Sequence, residues 1–227
     1  MNLKKQLITL WVLLGTTLAG SAQQALKEGT VEYKLTYSNL PEQLKQVQST
    51  LPSKVTLYFK NNQFKTEMLM AQGEMNMLFD EEKKEMVMLM DMMGQKMKIK
   101  ITEAQLKEKQ KSSFEKQGIK NIEVKTTKEI KTIAGYACTK HIVNYEMDGK
   151  KESTYCYVTD KLPSSSMLTD NPIYADIKGF MMEYSTSQQG MTITMVAELV
   201  RAEKVSDNEF TVPDGYKEID PEMLNGR

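Results

Sequence analysis

The sequence Met86-Val87-Met88-Leu89-Met90-Asp91-Met92 decides the fold, because methionine stands at every second position. Alternate side chains of a β-strand share one face of the sheet, so this period predicts a strand with four thioethers on one side. Ten of the 18 methionines in the chain lie between Met68 and Met97. More thioethers are therefore expected on the neighbouring strands.

Short alternating segments continue on both sides of this strand and are separated by turn residues. Asn61-Asn62 and the charged residues 81–84 mark two hairpin turns. Strands are predicted over residues 30–38, 54–60, 63–70, 74–80, 85–92, 97–101, 122–124, 130–133, 137–145, 153–159, 180–186 and 191–200. One face of the last strand carries Met191, Ile193, Met195, Ala197 and Leu199. Consecutive hairpins with two interrupting helices predict a mainly β (α+β) fold, a large curved antiparallel sheet or half-barrel with one or two covering helices.

The two helices are predicted from their end signals. Pro41 suits a first helical turn and Pro52 ends the helix, which gives an amphipathic helix over 41–50. Thr102 and Gln105 form a capping box that opens a polar helix ending near Lys116. We expect the first helix to cover the concave face of the sheet as a lid. Its apolar stripe is Leu40, Leu44, Val47 and Leu51.

The N-terminus has the pattern of a secretory signal peptide over residues 1–22. Lys4 and Lys5 precede the apolar residues 7–14, and small residues offer a cleavage site after Ala22. A single periplasmic or secreted domain is then expected over residues 23–227. Since no later segment approaches transmembrane length, no membrane-spanning segment is predicted.

Charge and motifs exclude several classes of function. Thirty basic residues balance 30 acidic ones, so no positive excess is available for nucleic acid. His141 is the only histidine, and it lies on a predicted strand at an odd offset from Cys138, which places the two on opposite faces. Motifs for hydrolases, phosphate loops and dinucleotide binding are absent. The sequence therefore predicts a non-enzymatic protein without catalytic residues, cofactor or metal.

Two cysteines in an exported chain predict a Cys138–Cys156 disulfide. However, a tight turn at Asp148-Gly149 pairs Cys138 with residue 158 or 159 rather than with Cys156. The bridge therefore requires a bulge or a wider loop. Two separate buried thiols are the alternative.

Four segments, spread over most of the chain, carry a resemblance to a known family. They are Gly29–Tyr33, Met86–Gly94, Ile133–Lys140 and Phe210–Tyr216. Their order resembles an uncharacterised family of exported Bacteroidota-type proteins, close to the family called GLPGLI. The resemblance implies a LolA/LolB-like half-barrel, as in lipoprotein carriers, whose curved sheet and helices enclose an apolar cavity. It implies no catalytic residue.

The methionines fit three interpretations, which are a packed core, an adaptable lining for acyl chains, and a copper(I) or silver(I) site. Apolar residues interleaved with them, such as Leu69, Val87 and Leu89, argue against a metal site. We favour binding of a lipid or another apolar small molecule in a Met-lined cavity of the curved sheet. A structural or interaction protein with an outer-envelope partner is the alternative, and copper(I) binding is the second. The predicted ligand-binding residues are Met68, Met70, Met75, Met77, Met86, Met88, Met90, Met92, Met191, Ile193 and Met195.

Overall fold

The computed structural model describes residues 25–164, 172–188 and 191–221. The predicted signal peptide and its cleavage site at Ala22 lie outside these residues. The described strands are β1 (Glu28–Ser38), β2 (Lys54–Lys60), β3 (Gln63–Met70), β4 (Gly73–Asp80), β5 (Glu85–Met92), β6 (Gln95–Thr102), β7 (Lys120–Ile133), β8 (Tyr136–Met147), β9 (Lys150–Thr159), β10 (Phe180–Gln188), β11 (Met191–Arg201) and β12 (Lys217–Glu218).

All twelve strands belong to one sheet in the order β12-β6-β5-β4-β3-β2-β1-β11-β10-β9-β8-β7. Neighbouring strands are antiparallel, except that β12 runs parallel to β6. The sheet is curved and open. The curvature is strong at one end, where β7 contacts β11 although three strands lie between them in the sheet. The prediction of a single large, curved, mainly antiparallel sheet is confirmed.

Local turn chemistry sets the register of the hairpins. The β8–β9 hairpin pairs Met147 with Lys150 across Asp148-Gly149. Both turn residues have positive φ, +51° and +75°, as a type I′ turn requires. Glycine adopts this conformation without cost and aspartate tolerates it, so the predicted turn is confirmed.

The centre of the hydrophobic core is a row of cross-strand neighbours on one face of β2 to β6. The row consists of Phe59, Phe64, Phe79, Met86 and Ile101. All five side chains are buried and belong to the largest buried cluster, which we call the main core. It also contains Val31 and Tyr33 of β1 and Cys138 of β8. A second cluster packs around Val143, Cys156, Val158, Ile173 and Tyr174.

The C-terminal segment covers the other face of β2 to β6. After β11 the chain places Asp207 Oδ1 2.6 Å from Lys60 Nζ and Glu209 Oε2 2.8 Å from Lys65 Nζ. It then adds β12 to the edge of β6. Leu78 and Leu89 of this face are buried.

The described α-helices are α1 (Glu42–Lys45) and α2 (Glu103–Lys116). The capping box of α2 is confirmed, since the Thr102 side chain accepts from the Gln105 N–H and Gln105 Oε1 accepts from the Thr102 N–H. Leu106 of α2 packs into the main core. Among the described residues, neither helix has the length and apolar character that crossing a membrane requires.

The predicted lid helix over 41–50 is wrong. Only α1, a single turn, and a 3-10 turn at Gln48–Thr50 form there, and neither buries a residue. The expected stripe is not covered, because Leu40, Leu44 and Leu51 are half-buried and Val47 is 43% exposed. A helix this short is marginal unless its apolar face packs on another element. Without that packing, the helical spacing of four apolar residues is insufficient to stabilise a helix over 41–50.

One predicted face of β11 is also corrected. Ala197 pairs with Tyr33, but a bulge makes Leu199 the partner of Glu32. A bulge inserts one residue and reverses the alternation beyond it. Leu199 is therefore exposed rather than aligned with Met195 and Ala197.

Candidate functional site

The methionines of β3 to β6 lie on one face of the sheet as rows of cross-strand neighbours. The central row is Met68, Met75, Met90 and Met97. The rows on either side are Thr66-Met77-Met88-Ile99 and Met70-Gly73-Met92-Gln95. These twelve positions, which we call the methionine grid, hold eight methionines and no ionisable side chain.

The apolar residues interleaved in the sequence point away from the grid. Leu69 and Leu89 alternate with methionines along β3 and β5, and alternate residues of a strand face opposite sides. Val87 pairs with Leu78 on that opposite side as well. The sequence mixes thioethers with branched side chains, but the folded sheet separates them.

Burial changes along the strands from the core row to the grid. Phe64 and Phe79 are almost completely buried, whereas all eight grid methionines are half-buried. Four of them, Met68, Met77, Met88 and Met90, pack against the main core. The grid is thus a partly open apolar surface that continues the core.

Met97 belongs to the central row although the sequence-based prediction left it out of the site. The sequence contains the pattern that could have placed it there, since Met97, Ile99 and Ile101 alternate with other residues on one strand. The hairpin between β5 and β6 pairs Met90 with Met97 directly. The predicted residue Met86 belongs instead to the buried core row.

The predicted residues of β11 lie on a different part of the sheet from the grid. Ile193 pairs with Tyr37 and Met195 with Leu35 of β1, and both pack against the main core. Met191 is half-buried at the start of β11, opposite Gln188. Strands β1 and β2 separate these three residues from β3.

A small recess connects the two regions. Its volume is about 50 Å³, and its lining includes Leu57, Thr66, Tyr184 and Met195. Pockets for drug-sized ligands measure roughly 300–1,000 Å³, so this recess is too small to enclose an acyl chain. An acyl chain would have to lie along the open grid.

The predicted disulfide is wrong, because the two cysteines point to opposite faces of the sheet. Cys156 is the cross-strand partner of His141, and Cys138 lies three residues from His141 on β8. The odd offset puts Cys138 in the main core and Cys156 in the second cluster. Both thiols are free and buried, as in the alternative prediction.

Burial raises the pKa of the Cys138 thiol to about 11 and that of Cys156 to about 12. Because the reactive form is the thiolate, we expect neither cysteine to react with a maleimide in the native protein at neutral pH. After denaturation without reductant, two maleimides should add, as mass spectrometry would show. A denatured chain that resists labelling and lacks the mass of two hydrogens would contradict the free thiols.

His141 lies on β8, as the predicted strand 137–145 requires. Its Nδ1 lies 3.2 Å from Thr126 Oγ1 on β7, and burial lowers the pKa of the imidazole. Its cross-strand partner Cys156 is completely buried. The arrangement connects β7 to β8.

A polar groove on the other face was not expected from the sequence. It has a volume of about 450 Å³, and its lining includes Glu32, Lys54 and Arg201. Hydrogen bonds from Lys54 and Arg201 lower the pKa of the Glu32 carboxyl. Within the described ranges, no group of three His, Cys, Asp or Glu side chains is placed to hold a metal ion. The charges of the groove instead pair across β2, β1 and β11.

The comparisons with known proteins identify a family. A family model described as "Domain of unknown function (DUF4412)" matches residues 42–171, a span that holds β2 to β9 and the entire methionine grid. No curated protein matches the chain.

Proposed function

This chain belongs to the DUF4412 family of domains of unknown function, and we propose that its methionine grid binds a lipid acyl chain or a similar apolar ligand. The observation that carries the proposal is the choice of side chains. On β3 to β6, stiff side chains fill most of the buried positions of this face, for example Phe64 and Ile99, with Met86 as the exception, while the other methionines of this face occupy the half-open positions. A packed sheet interior has no need of this division, because β-branched residues suit strands better.

Methionine suits a variable ligand because its side chain is unbranched and polarizable, so it adapts to ligands of different shape. The grid has no charge that must be desolvated when an acyl chain covers it. Each methylene buried there contributes about 0.8 kcal/mol. Affinity would therefore increase with the length of chain that the grid can cover.

The resemblance to the GLPGLI and LolA/LolB-like proteins supports the same proposal, because it implies a carrier-like half-barrel that encloses an apolar cavity. A curved open sheet is compatible with a half-barrel carrier, although fold alone does not assign function. We place the protein in the periplasm or outside the cell, after cleavage near Ala22, and assign it no covalent step.

Native mass spectrometry of the protein purified gently from its own envelope tests this function. We expect a bound mass of several hundred daltons, on the order of one lipid, that is lost on denaturation. A fluorescent undecanoic acid should bind the delipidated protein and be displaced by longer fatty acids. The proposal fails if the purified protein is bare and the fluorescent probe does not bind.

A further inference from the structure

We infer that the central row of the grid, Met68, Met75, Met90 and Met97, binds one soft monovalent metal ion, copper(I) or silver(I). Thioether sulfur is a ligand that selects such ions. Side chains directly opposite on neighbouring strands have Cβ atoms about 5 Å apart. The flexible methionine side chain can close the remaining gap between sulfurs.

The fold removes the main argument against a metal site. Leu69 and Leu89 interrupt the methionines in sequence but face the other side of the sheet. On the grid side the row continues over four strands with sulfur at every position. Met77 and Met88 of the next row pair with each other beside it and extend the sulfur-rich surface.

The charge and exposure of the row fit a monovalent ion. The grid has no carboxylate to neutralise a divalent cation. Half-burial of the four methionines keeps water near the ion and limits its desolvation cost. The row therefore suits a singly charged ion with neutral ligands better than zinc.

Two members of the row are indispensable for any site of three adjacent ligands. The row order is Met68, Met75, Met90, Met97, so every three consecutive members include both Met75 and Met90. Replacing both by leucine removes the thioethers and keeps apolar side chains of similar size. M75L/M90L should therefore lose the metal site.

The experiment is a silver(I) titration of the full chain with ¹³C-labelled methionine methyl groups, followed by NMR. We expect the methyl signals of Met75 and Met90 to shift with one equivalent of silver, while those of Met147 and Met181, which lie outside the grid, stay in place. A competition titration with the copper(I) chelator bicinchoninate should give at least tenfold weaker copper binding for M75L/M90L. The matched control M147L/M181L should bind copper(I) as tightly as the wild type.

The inference is overturned if the grid methyl signals do not shift or if M75L/M90L binds copper(I) as tightly as the control. Silver-induced shifts confined to methionines outside the grid would also overturn it. A wild-type protein that binds silver(I) but not the fluorescent fatty acid would instead refute the proposed apolar function alone. The two readouts thus separate the two proposals.

Discussion

The double variant Met88→Asp with Met90→Asp is expected to weaken binding of a fluorescent fatty acid by at least about 100-fold. Both residues lie within the grid on β5, where their cross-strand neighbours on β4 and β6 are apolar. An acyl chain that covers the grid would have to desolvate both carboxylates, which costs several kcal/mol. A loss of about 3 kcal/mol corresponds to this factor in the dissociation constant.

A matched pair of charges outside the grid is the control. Leu69→Asp with Met93→Asp introduces the same two carboxylates at residues that are 64% and 82% exposed. Leu69 faces the other side of the sheet, and Met93 lies in the turn after β5. We expect fatty-acid binding equal to that of the wild type in this control.

Circular dichroism melts decide whether each variant is folded. If M88D/M90D does not fold, Met70→Asp with Met92→Asp gives the same test in the outer row of the grid, which lies farther from the buried core row. Wild-type binding by a folded grid variant would exclude the grid as the ligand surface. Equal losses of fatty-acid binding in the grid and control variants would also exclude the grid as the ligand surface.

The methionine grid follows from the sequence because every contact in it is local. Hairpins of a few residues connect β3, β4, β5 and β6, so each turn fixes the register of the next pair. The predicted strands 63–70 and 85–92 agree with β3 and β5 to the residue. Alternation along each strand then assigns the face.

Features that depend on distant parts of the chain could not be predicted in this way. The pairing of β1 with β11 and the contacts of the C-terminal segment, from Asp207 to β12, with β2 and β6 join parts of the chain that no local pattern relates. The predicted lid helix over 41–50 was wrong because a short helix is stable only when its apolar side chains pack on another element. The disulfide prediction was wrong because it rested on the expected export of the chain and on its two cysteines. The register that the turn at Asp148-Gly149 imposes already opposed the bridge.

The substitution Phe59→Ala is expected to lower the free energy of unfolding by about 3–5 kcal/mol. Phe59 is completely buried in the core row and pairs with Phe64 on β3 and Gly29 on β1. A Cβ built on Gly29 would lie 3.2 Å from Phe59 Cζ, so the ring already fills the space beside the glycine backbone. Removing the ring leaves a cavity that the rigid paired strands can close only in part.

Urea unfolding measures this loss, with Ile130→Ala as the control. Ile130 is 67% exposed on β7, so its truncation should change stability by no more than about 0.5 kcal/mol. A similar small loss for Phe59→Ala would contradict a rigid core row and would mean that the strands collapse into the vacated space. The half-open methionine rows would then lack a fixed base. A large loss would instead support a rigid aromatic row beneath an adaptable methionine surface, the combination that binding of varied acyl chains requires.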